Sequence, residues 1–263
     1  MHTGILAILI TFTACTTQGP LAQADPSELP ENAAAFIKAH LPGIKLTPTS
    51  GVKPIETATA WYPLKAQTMT YAAPEDPNKA LVHVMSKTAR EPGHPVGSTE
   101  GGWSVQLEDK SIQFLRVDAH RGIVMPTVVS PADGVITRLN PPEALVIQGH
   151  VPGDDETSDI KVRVYDLHEP SVLCHSGQLH ATWQDLGAWR ITVPKGTFDT
   201  RLVALHLKGK VGPASLDIER YYFLAKGVGV VAYAAEASVH AVLVYNSDTV
   251  QAGVLKAITP AKH

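Results

Sequence analysis

The feature that most constrains the fold is an alternation of apolar and polar residues with a period of two, which begins at Trp61. Successive side chains of a β-strand point to opposite faces, so this period is typical of strands with one buried face. The segments that show it include KALVHVMSK, WSVQLED, SIQFLRVD, DGVITRL, EALVIQGHV, IKVRVYDL, AWRITVP, TRLVALHLKGK, LDIERYYFLA and VHAVLVYN. No long helical period intervenes, which favours antiparallel neighbours over parallel crossovers. The expected fold class is mainly β: a strongly curved antiparallel sheet, as a half-barrel or sandwich, with one short N-terminal helix.

Turn residues and prolines divide this β-rich region, which we expect to span residues 61–250 and to be followed by a C-terminal tail at 251–263. Clusters of Gly, Pro, Asn and Asp bound the strands and favour tight turns. Pro141-Pro142 marks a candidate seam, because consecutive prolines remove two hydrogen-bond donors and stiffen the chain. Two arrangements stay open there: one continuous domain with a bend, which we favour, or two subdomains.

Residues 25–60 have a different pattern from the strands that follow. Ala33, Phe36, Ile37 and His40 recur at helical spacing, acidic residues precede them and a Pro-Gly pair follows. This spacing predicts one short amphipathic helix. The Pro- and Thr-rich remainder is typical of a tether or a loosely docked arm.

Residues 1–24 predict an export signal, because the apolar run Gly4–Ala14 is followed by small and polar residues, with no charged side chain before Asp25. The run is shorter than the roughly 20 residues that span a bilayer. Two processing routes are open. The residues that end at Cys15 resemble a bacterial lipobox, in which the cysteine is lipidated, and the A-x-A pattern that ends at Ala24 fits ordinary cleavage. The first route predicts a protein anchored at the periplasmic face of the outer membrane, and the second a periplasmic or secreted one.

Charge and cysteine content narrow the classes of partner. The chain has 22 basic and 25 acidic residues, so it lacks the basic excess of nucleic-acid-binding proteins, and no nucleic-acid partner is expected. Its two cysteines are Cys15 and Cys174, and lipidation or removal of the first leaves the second without a disulfide partner. We expect Cys174 to be a small buried apolar residue.

A glycine motif near the C-terminus matches the dinucleotide fingerprint G-x-G-x-x-A at Gly227, Gly229 and Ala232, and Asp248 follows 21 residues after the first glycine. A true fingerprint requires a full crossover helix between two parallel strands. The residues between Val230 and the next strand allow only about two helical turns, too short for that helix. We interpret the glycines as a tight turn between two strands, and expect no cofactor.

Other chemical motifs are sparse. Four residues of one segment are candidate ligands for a soft metal, but their spacing matches no established zinc motif. These are His168, Cys174, His175 and His180. On a strand, the adjacent Cys174 and His175 point to opposite faces, so a polar loop flanked by strands is the favoured interpretation. No G-x-S-x-G elbow or other catalytic signature is present, so no catalytic residue is predicted.

Three separated segments carry a resemblance to a family. WYPLKAQTMTY (Trp61–Tyr71), WRITVPKGTFDTRLVAL (Trp189–Leu205) and YYFLAKGVGVVAY (Tyr221–Tyr233) are similar, in the same order, to motifs of secreted bacterial proteins of unknown function, the TapB-like group. The first segment has Gln67 and Met69 where that group has Gly and Trp. The resemblance implies an envelope or extracellular protein with a strongly curved antiparallel sheet, akin to the LolA/LolB-like half-barrels. It implies no catalytic residues.

These observations lead to one functional hypothesis and two alternatives. The hypothesis is a non-enzymatic envelope lipoprotein whose curved sheet binds a lipid or other apolar ligand, or an envelope protein partner. Aromatic residues are the candidates for the pocket, namely Trp61, Tyr62, Trp189, Tyr221, Tyr222 and Phe223. The alternatives are a secreted hydrolase whose site forms only in three dimensions, and a purely structural or adhesion module.

Overall fold

Long β-strands account for most of the alternating segments in the computed structural model, which describes residues 28–50, 53–88, 102–241 and 245–261. The segment VHAVLVYN lies partly outside the described residues. The export signal and Cys15 therefore lie outside the described residues. The helices are α1 (Glu31–His40) and α2 (Ala58–Trp61). The strands are β1 (Thr47–Pro48), β2 (Gln67–Ala72), β3 (Ala80–Thr88), β4 (Gly102–Gln106), β5 (Ile112–Asp118), β6 (Gly122–Ser130), β7 (Val135–Val146), β8 (Asp155–Asp166), β9 (Leu173–Val193), β10 (Gly196–Val211), β11 (Ala214–Ala225), β12 (Gly229–Ala241) and β13 (Tyr245–Pro260).

The strands β2 to β13 form a closed barrel of twelve antiparallel strands. Each strand pairs with the next along the chain, and β13 returns to pair with β2, with Thr259 opposite Thr68. The mainly β, antiparallel class is confirmed, whereas the expected half-barrel or sandwich is wrong. The pairing of β13 with β2 satisfies the backbone groups that a half-barrel would leave open at its two edges.

Alternate burial along β9 shows how the period of two in the sequence gives a strand of the barrel one buried face. From Leu179 to Val193 every second side chain is buried, and the residues between them are exposed or half-buried. Trp183 and Trp189 belong to the buried set, whereas Arg190 faces solvent. Burying one face in this way also sets the register, because a shift of one residue would expose the whole apolar set.

Two glycines permit β9 and β10 to approach each other closely. A Cβ added to Gly177 would lie 1.9 Å from the carbonyl oxygen of Lys210, and one added to Gly209 would lie 2.1 Å from that of Gln178. Both obstacles are backbone atoms of the neighbouring strand, so no rotamer change relieves them. Glycine is therefore required at these positions of the curved sheet.

The helix α1 lies against the outer face of the barrel. The ring centroid of Phe36 is 4.7 Å from that of Tyr221 on β11, and Nε2 of His40 is 3.2 Å from Oε2 of Glu236 on β12. Ile37, a residue of α1, is buried. The N-terminal helix of the expected fold is present, and a second, shorter helix, α2, follows it.

The chain that follows β1 closes one end of the barrel, which we call the base. The amide of Gly149 donates to the carbonyl oxygen of Ile55 (2.8 Å), and the amide of Gly227 donates to that of Ala60 (2.7 Å). These glycines belong to two different connections at the same end, and α2 also contacts β6. Residues 55–60 therefore bridge the base between several strands.

Two boundaries predicted from the sequence lie inside strands: the seam at Pro141-Pro142 and the start of the C-terminal tail at residue 251. The strand β7 runs through Asn140-Pro141-Pro142, with a cis peptide bond before Pro141. It pairs with β8 up to Asn140 and with β6 on both sides of the prolines. Residues 251–260, expected as part of a tail, belong to β13 and pair with β2 and β12.

Candidate functional site

A cavity of about 110 Å³ lies inside the barrel and is the strongest candidate site among the described residues. Tyrosine dominates its lining, and most other lining residues are apolar. The lining comprises Tyr62, Met69, Tyr71, His83, Val105, Leu107, Gln113, Leu145, Arg220, Tyr222, Leu224, Val230, Tyr233, Ala235 and Gln251. Gln251 also belongs to the exposed residues, so it lies at the mouth. A mostly apolar lining with a few convergent polar groups is typical of small-molecule sites.

Strand register brings the tyrosines together. Tyr222 of β11 lies directly opposite Tyr233 of β12, and Tyr71 of β2 meets Tyr233 edge to face at a centroid distance of 5.2 Å. The hydroxyl of Tyr71 donates to the carbonyl oxygen of Val230 at 3.0 Å. Burial raises the pKa of Tyr71 well above its ordinary value, and the neighbouring Tyr62 and Tyr233 raise it further. These phenols are therefore neutral hydrogen-bonding groups rather than bases.

An ion pair crosses the barrel at the cavity wall. Nη1 of Arg220 on β11 donates to Oε1 of Glu143 on β7 at 2.6 Å, and the Glu143 side chain is only 4% exposed. Burial raises the pKa of the Glu143 carboxyl above its ordinary value, while the charge of Arg220 and its hydrogen bond offset part of that rise. Because the two charges compensate, the pair supplies hydrogen-bonding groups to the cavity without net charge.

A histidine, His83, lines the same cavity and contacts two neighbouring side chains. Nε2 of His83 lies 3.1 Å from Oε2 of Glu108 and 3.3 Å from the hydroxyl oxygen of Tyr233. The hydrogen bond from His83 lowers the pKa of Glu108, against the opposing effect of partial burial. Both contacts use the same ring nitrogen, whereas a catalytic base uses one nitrogen for its orienting carboxylate and the other for its nucleophile. The described lining also has no Ser, Thr, Cys or Lys side chain.

The aromatic residues predicted for the pocket separate into different environments. Tyr62 and Tyr222 line the cavity. Tyr221 and Phe223 have the opposite orientation on β11, where Tyr221 contacts α1 on the outer face. Adjacent strand residues face opposite sides, which explains why members of one short run separate.

The two predicted tryptophans lie away from the cavity lining. Trp61 lines a polar groove at the base together with Lys53 and Arg190. Trp189 is a core residue whose indole nitrogen donates to the carbonyl oxygen of Leu186 at 2.8 Å.

The candidate metal ligands are not brought together. Within the described ranges, no group of three or more His, Cys, Asp or Glu side chains could hold a metal ion. His180 instead contacts Asp159, with Nδ1 2.9 Å from Oδ1. Cys174 is exposed, so the expectation of a buried apolar cysteine is wrong. It lies at the start of β9, before the alternately buried part of that strand begins.

Several lining residues had no distinguishing signal in the sequence. Tyr222 and Leu224 share the inward face of β11 with Arg220, yet the outward Tyr221 and Phe223 are as apolar as Tyr222 and Leu224. The outer face is apolar because α1 covers it, so the hydrophobic pattern alone does not tell which face is inside. The charged residues of β11 do not distinguish the faces either, because Arg220 lines the cavity whereas Glu219 lies on the outer side, where it accepts a hydrogen bond from Tyr221.

The residues 226–228 form the turn that the glycine motif predicted. Gly227 and Gly229 have φ angles of 76° and 100°, in the region that favours glycine, and they join the antiparallel strands β11 and β12. The interpretation as a tight turn is confirmed.

No family model and no curated protein matches the chain. Two crystal structures of bacterial proteins are similar to it. A Bacteroides fragilis protein described as exported, with a YmcC-like fold, has 14% identity and a TM-score of 0.33 over 80% of this chain and 100% of its own. A Parabacteroides distasonis protein described as a lipoprotein has 10% identity and a TM-score of 0.34 over 79% of this chain and 100% of its own. Likeness at this level carries no conclusion about this chain. Among the described helices, none is long and apolar enough to cross a membrane.

Proposed function

We propose that this protein is an exported bacterial envelope protein that binds an apolar ligand inside its barrel. The observation that carries the proposal is the tyrosine-rich cavity of about 110 Å³, open at Gln251. A dry cavity of about 150 Å³ accommodates benzene, so the volume here suits a short apolar segment of a ligand. The rest of such a ligand would extend through the mouth.

The lining indicates which ligand chemistry fits. Tyr71, Tyr222 and Tyr233 offer ring faces and edges, against which apolar groups pack favourably. The pair of Arg220 and Glu143 has no net charge, so it suits a neutral polar group on the ligand better than a second ion. The ligand class proposed is therefore a lipid-like or aromatic molecule with one uncharged polar end.

Export and anchoring belong to the same proposal. The apolar run before Cys15 and the A-x-A pattern before Asp25 support export by either processing route. We favour lipidation at Cys15, which would hold the barrel at the periplasmic face of the outer membrane. Loss of labelled palmitate incorporation on Cys15→Ser would support the anchor, and unchanged incorporation would contradict it.

Ligand binding can be tested with the purified chain and the apolar fluorescent probe N-phenyl-1-naphthylamine. Wild type is expected to enhance the probe's fluorescence saturably, and native mass spectrometry is expected to show a co-purifying small molecule. Gln251→Trp narrows the mouth and should weaken probe binding at least about tenfold, a loss of about 1.4 kcal/mol.

Val250→Trp is the matched control for that variant. Val250 is adjacent in sequence and 53% exposed, and on β13 it faces away from the cavity. It should leave probe binding unchanged. Equal losses in the two variants, or no saturable binding by wild type, would overturn the ligand proposal. Those results would leave a structural module or a protein-docking role as the better explanation.

A further inference from the structure

The polar groove at the base has a volume of about 560 Å³ and shares no lining residue with the interior cavity. Small-molecule sites of proteins usually have volumes of about 300 to 1,000 Å³, so this groove has room for a larger ligand than the cavity admits. Its lining contains four basic and two acidic side chains, four residues with a hydroxyl group, and the aromatic ring of Trp61. The balance among these charged groups determines which ligand class fits.

Two of the basic side chains in the groove already have a carboxylate partner. Nε of Arg190 lies 2.7 Å from Oδ1 of Asp199, and Nη2 of the same arginine lies 3.1 Å from Oδ2. Arg201 pairs with the buried Asp185 through Nε, at 2.6 Å and 2.7 Å from the two carboxylate oxygens. These two pairs contribute no net charge to the groove.

Two lysines and one glutamate make up the remaining charge of the lining. Lys53, Glu56 and Lys226 are exposed, and within the described ranges none of the three forms an ion pair. Two ammonium groups and one carboxylate leave an excess of one positive charge. A ligand with a single negative charge compensates this excess and is attracted to it.

One amino group of the buried arginine is directed into the groove. The hydrogen bonds of Arg201 use Nε, towards Asp185, and Nη2, which donates to the carbonyl oxygen of Lys53 at 2.7 Å. Nη1 makes no hydrogen bond with the described residues, yet it is not enclosed by protein atoms. Because Arg201 lines the groove, this accessible amino group faces it. A guanidinium that is held in place by its other hydrogen bonds is pre-organised to donate to an anion.

Hydrogen bonds fix the two segments that carry the lysines. The carbonyl oxygen of Lys53 accepts the hydrogen bond from the buried arginine, and the amide of Gly227, next to Lys226, donates to the carbonyl oxygen of Ala60 at 2.7 Å. Trp61 follows Ala60 in the chain, is half-buried and packs against the core. Its accessible part lines the same groove as the lysines and offers apolar surface to a ligand.

We propose that this groove binds the carboxylate of a small organic acid that also carries an aromatic or other apolar group. The Nη1 donors of Arg201 receive the carboxylate oxygens, because hydrogen bonds between charged groups are among the strong ones. Lys53 and Lys226 add electrostatic attraction, and Trp61 packs against the apolar group. A carboxylate matches the single excess positive charge better than a phosphate group with up to two negative charges. The groove is separate from the interior cavity and does not depend on the ligand proposed for it.

The test uses a matched pair of probes, indole-3-acetate and its neutral counterpart indole-3-acetamide. The two molecules have the same ring and nearly the same shape, so the difference between their affinities measures recognition of the carboxylate. Titrations of the purified chain, followed by NMR of the probe signals, give both affinities. Wild type should bind the acid at least about tenfold more tightly than the amide, and added salt should reduce that difference.

Two double variants test the residues of the groove. Asp185→Leu combined with Arg201→Met removes both buried charges together, and it should weaken binding of the acid at least about tenfold. Lys53→Gln combined with Lys226→Gln changes only exposed side chains, so it should retain the fold. This second variant should weaken binding of the acid about threefold to tenfold, and it decides the question if the first variant does not fold.

Two controls locate the binding of the acid. Lys208→Gln combined with Lys210→Gln removes the same charge from exposed positions near the end of β10 that is farther from Arg201, and should leave the affinity unchanged. Gln251→Trp, at the mouth of the interior cavity, should also leave it unchanged, which separates the groove from that cavity. Equal affinities of wild type for the acid and the amide, no binding of the acid, equal losses in the two lysine variants, or a loss in Gln251→Trp would overturn the proposal.

Discussion

Individual buried charges in this barrel occur in pairs that join separate parts of the chain. Nε of Arg201 lies 2.6 Å and 2.7 Å from the two carboxylate oxygens of Asp185, and the two side chains are 3% and 0% exposed. Arg201 also donates from Nη2 to the carbonyl oxygen of Lys53 at 2.7 Å, and the amide of Gly187 donates to Asp185. The pair therefore connects β9, β10 and the segment that closes the base.

Replacing one member of the Arg201–Asp185 pair should lower the free energy of unfolding more than replacing both. We expect Asp185→Leu to lower the free energy of unfolding by about 3–5 kcal/mol, because it leaves the Arg201 charge buried without its carboxylate. Combining it with Arg201→Met should recover part of that loss. Urea denaturation of the wild type, the single variants and the double variant measures the coupling. A double variant whose loss equals the sum of the two single losses would show that the pair is not coupled.

The pKa of Glu108 provides a second test at the level of a residue. A carboxyl with a lowered folded pKa adds stability that is present above its ordinary value of 4.5 and is lost as the pH falls through the lowered value. His83→Phe removes the hydrogen bond and should raise the pKa of Glu108 towards that ordinary value. Carboxyl carbon shifts followed by NMR against pH measure it. His206→Phe, which removes a contact to Asp217, is the control and should leave the pKa of Glu108 unchanged.

At the scale of the elements, β9 is the longest of the described strands and pairs with three others. The strand β9 pairs with β10 over nearly its whole length, and its opposite edge is shared by β8 and, nearer the base, by β1. A register shift occurs between Arg201 and Val203, next to the buried ion pair. Such bulges increase local twist, and together with the glycines they allow the sheet to curl.

A methyl group at Gly177 should disturb this curl. Gly177→Ala places a carbon 1.9 Å from the carbonyl oxygen of Lys210 and 2.6 Å from the Cα atom of Val211, so the two strands must separate. We expect a loss of about 1–3 kcal/mol or more in the free energy of unfolding. Amide hydrogen exchange should increase along the β9–β10 pair. Ser176→Ala, at the exposed neighbouring position, should change stability by no more than about 0.5 kcal/mol.

For the molecule as a whole, closure of the barrel is the property on which the interior cavity depends. The cavity draws its lining from strands on both sides of the β13–β2 junction, including Tyr71 on β2 and Gln251 on β13. An open half-barrel would expose these side chains to solvent. The base is closed by the N-terminal segment, so the mouth near Gln251 is left as the route into the cavity.

Closure can be tested by cross-linking the two strands that join. Thr68 and Thr259 are directly opposite in the β13–β2 register, at a separation that suits a disulfide between antiparallel neighbours. In a Cys174→Ser background, Thr68→Cys combined with Thr259→Cys should oxidise rapidly and raise the unfolding temperature. Thr68→Cys combined with Thr249→Cys is out of register and should remain reduced. Equal oxidation of both pairs would contradict the closed arrangement.

The strands themselves could be predicted from local patterns, because a period of two reports one buried face wherever it occurs. The N-terminal helix and the turn at Gly227, where φ is positive, could also be predicted from local patterns. Each of these features depends on residues close together in the chain, so the side chains and backbone preferences that produce them are visible in a short window of sequence.

The cavity and the closure depend on contacts between distant residues. The hydroxyl of Tyr71 bonds to a residue 159 positions away, and Arg220 bonds to one 77 positions away. Both faces of β11 are apolar, so the pattern could not distinguish the inward Tyr222 from the outward Tyr221. The alternating sequence accounts for strands, turns and the short helix, whereas the folded chain sets which face is inside and which strands meet, because twist and stagger accumulate over the whole sheet before its edges can pair.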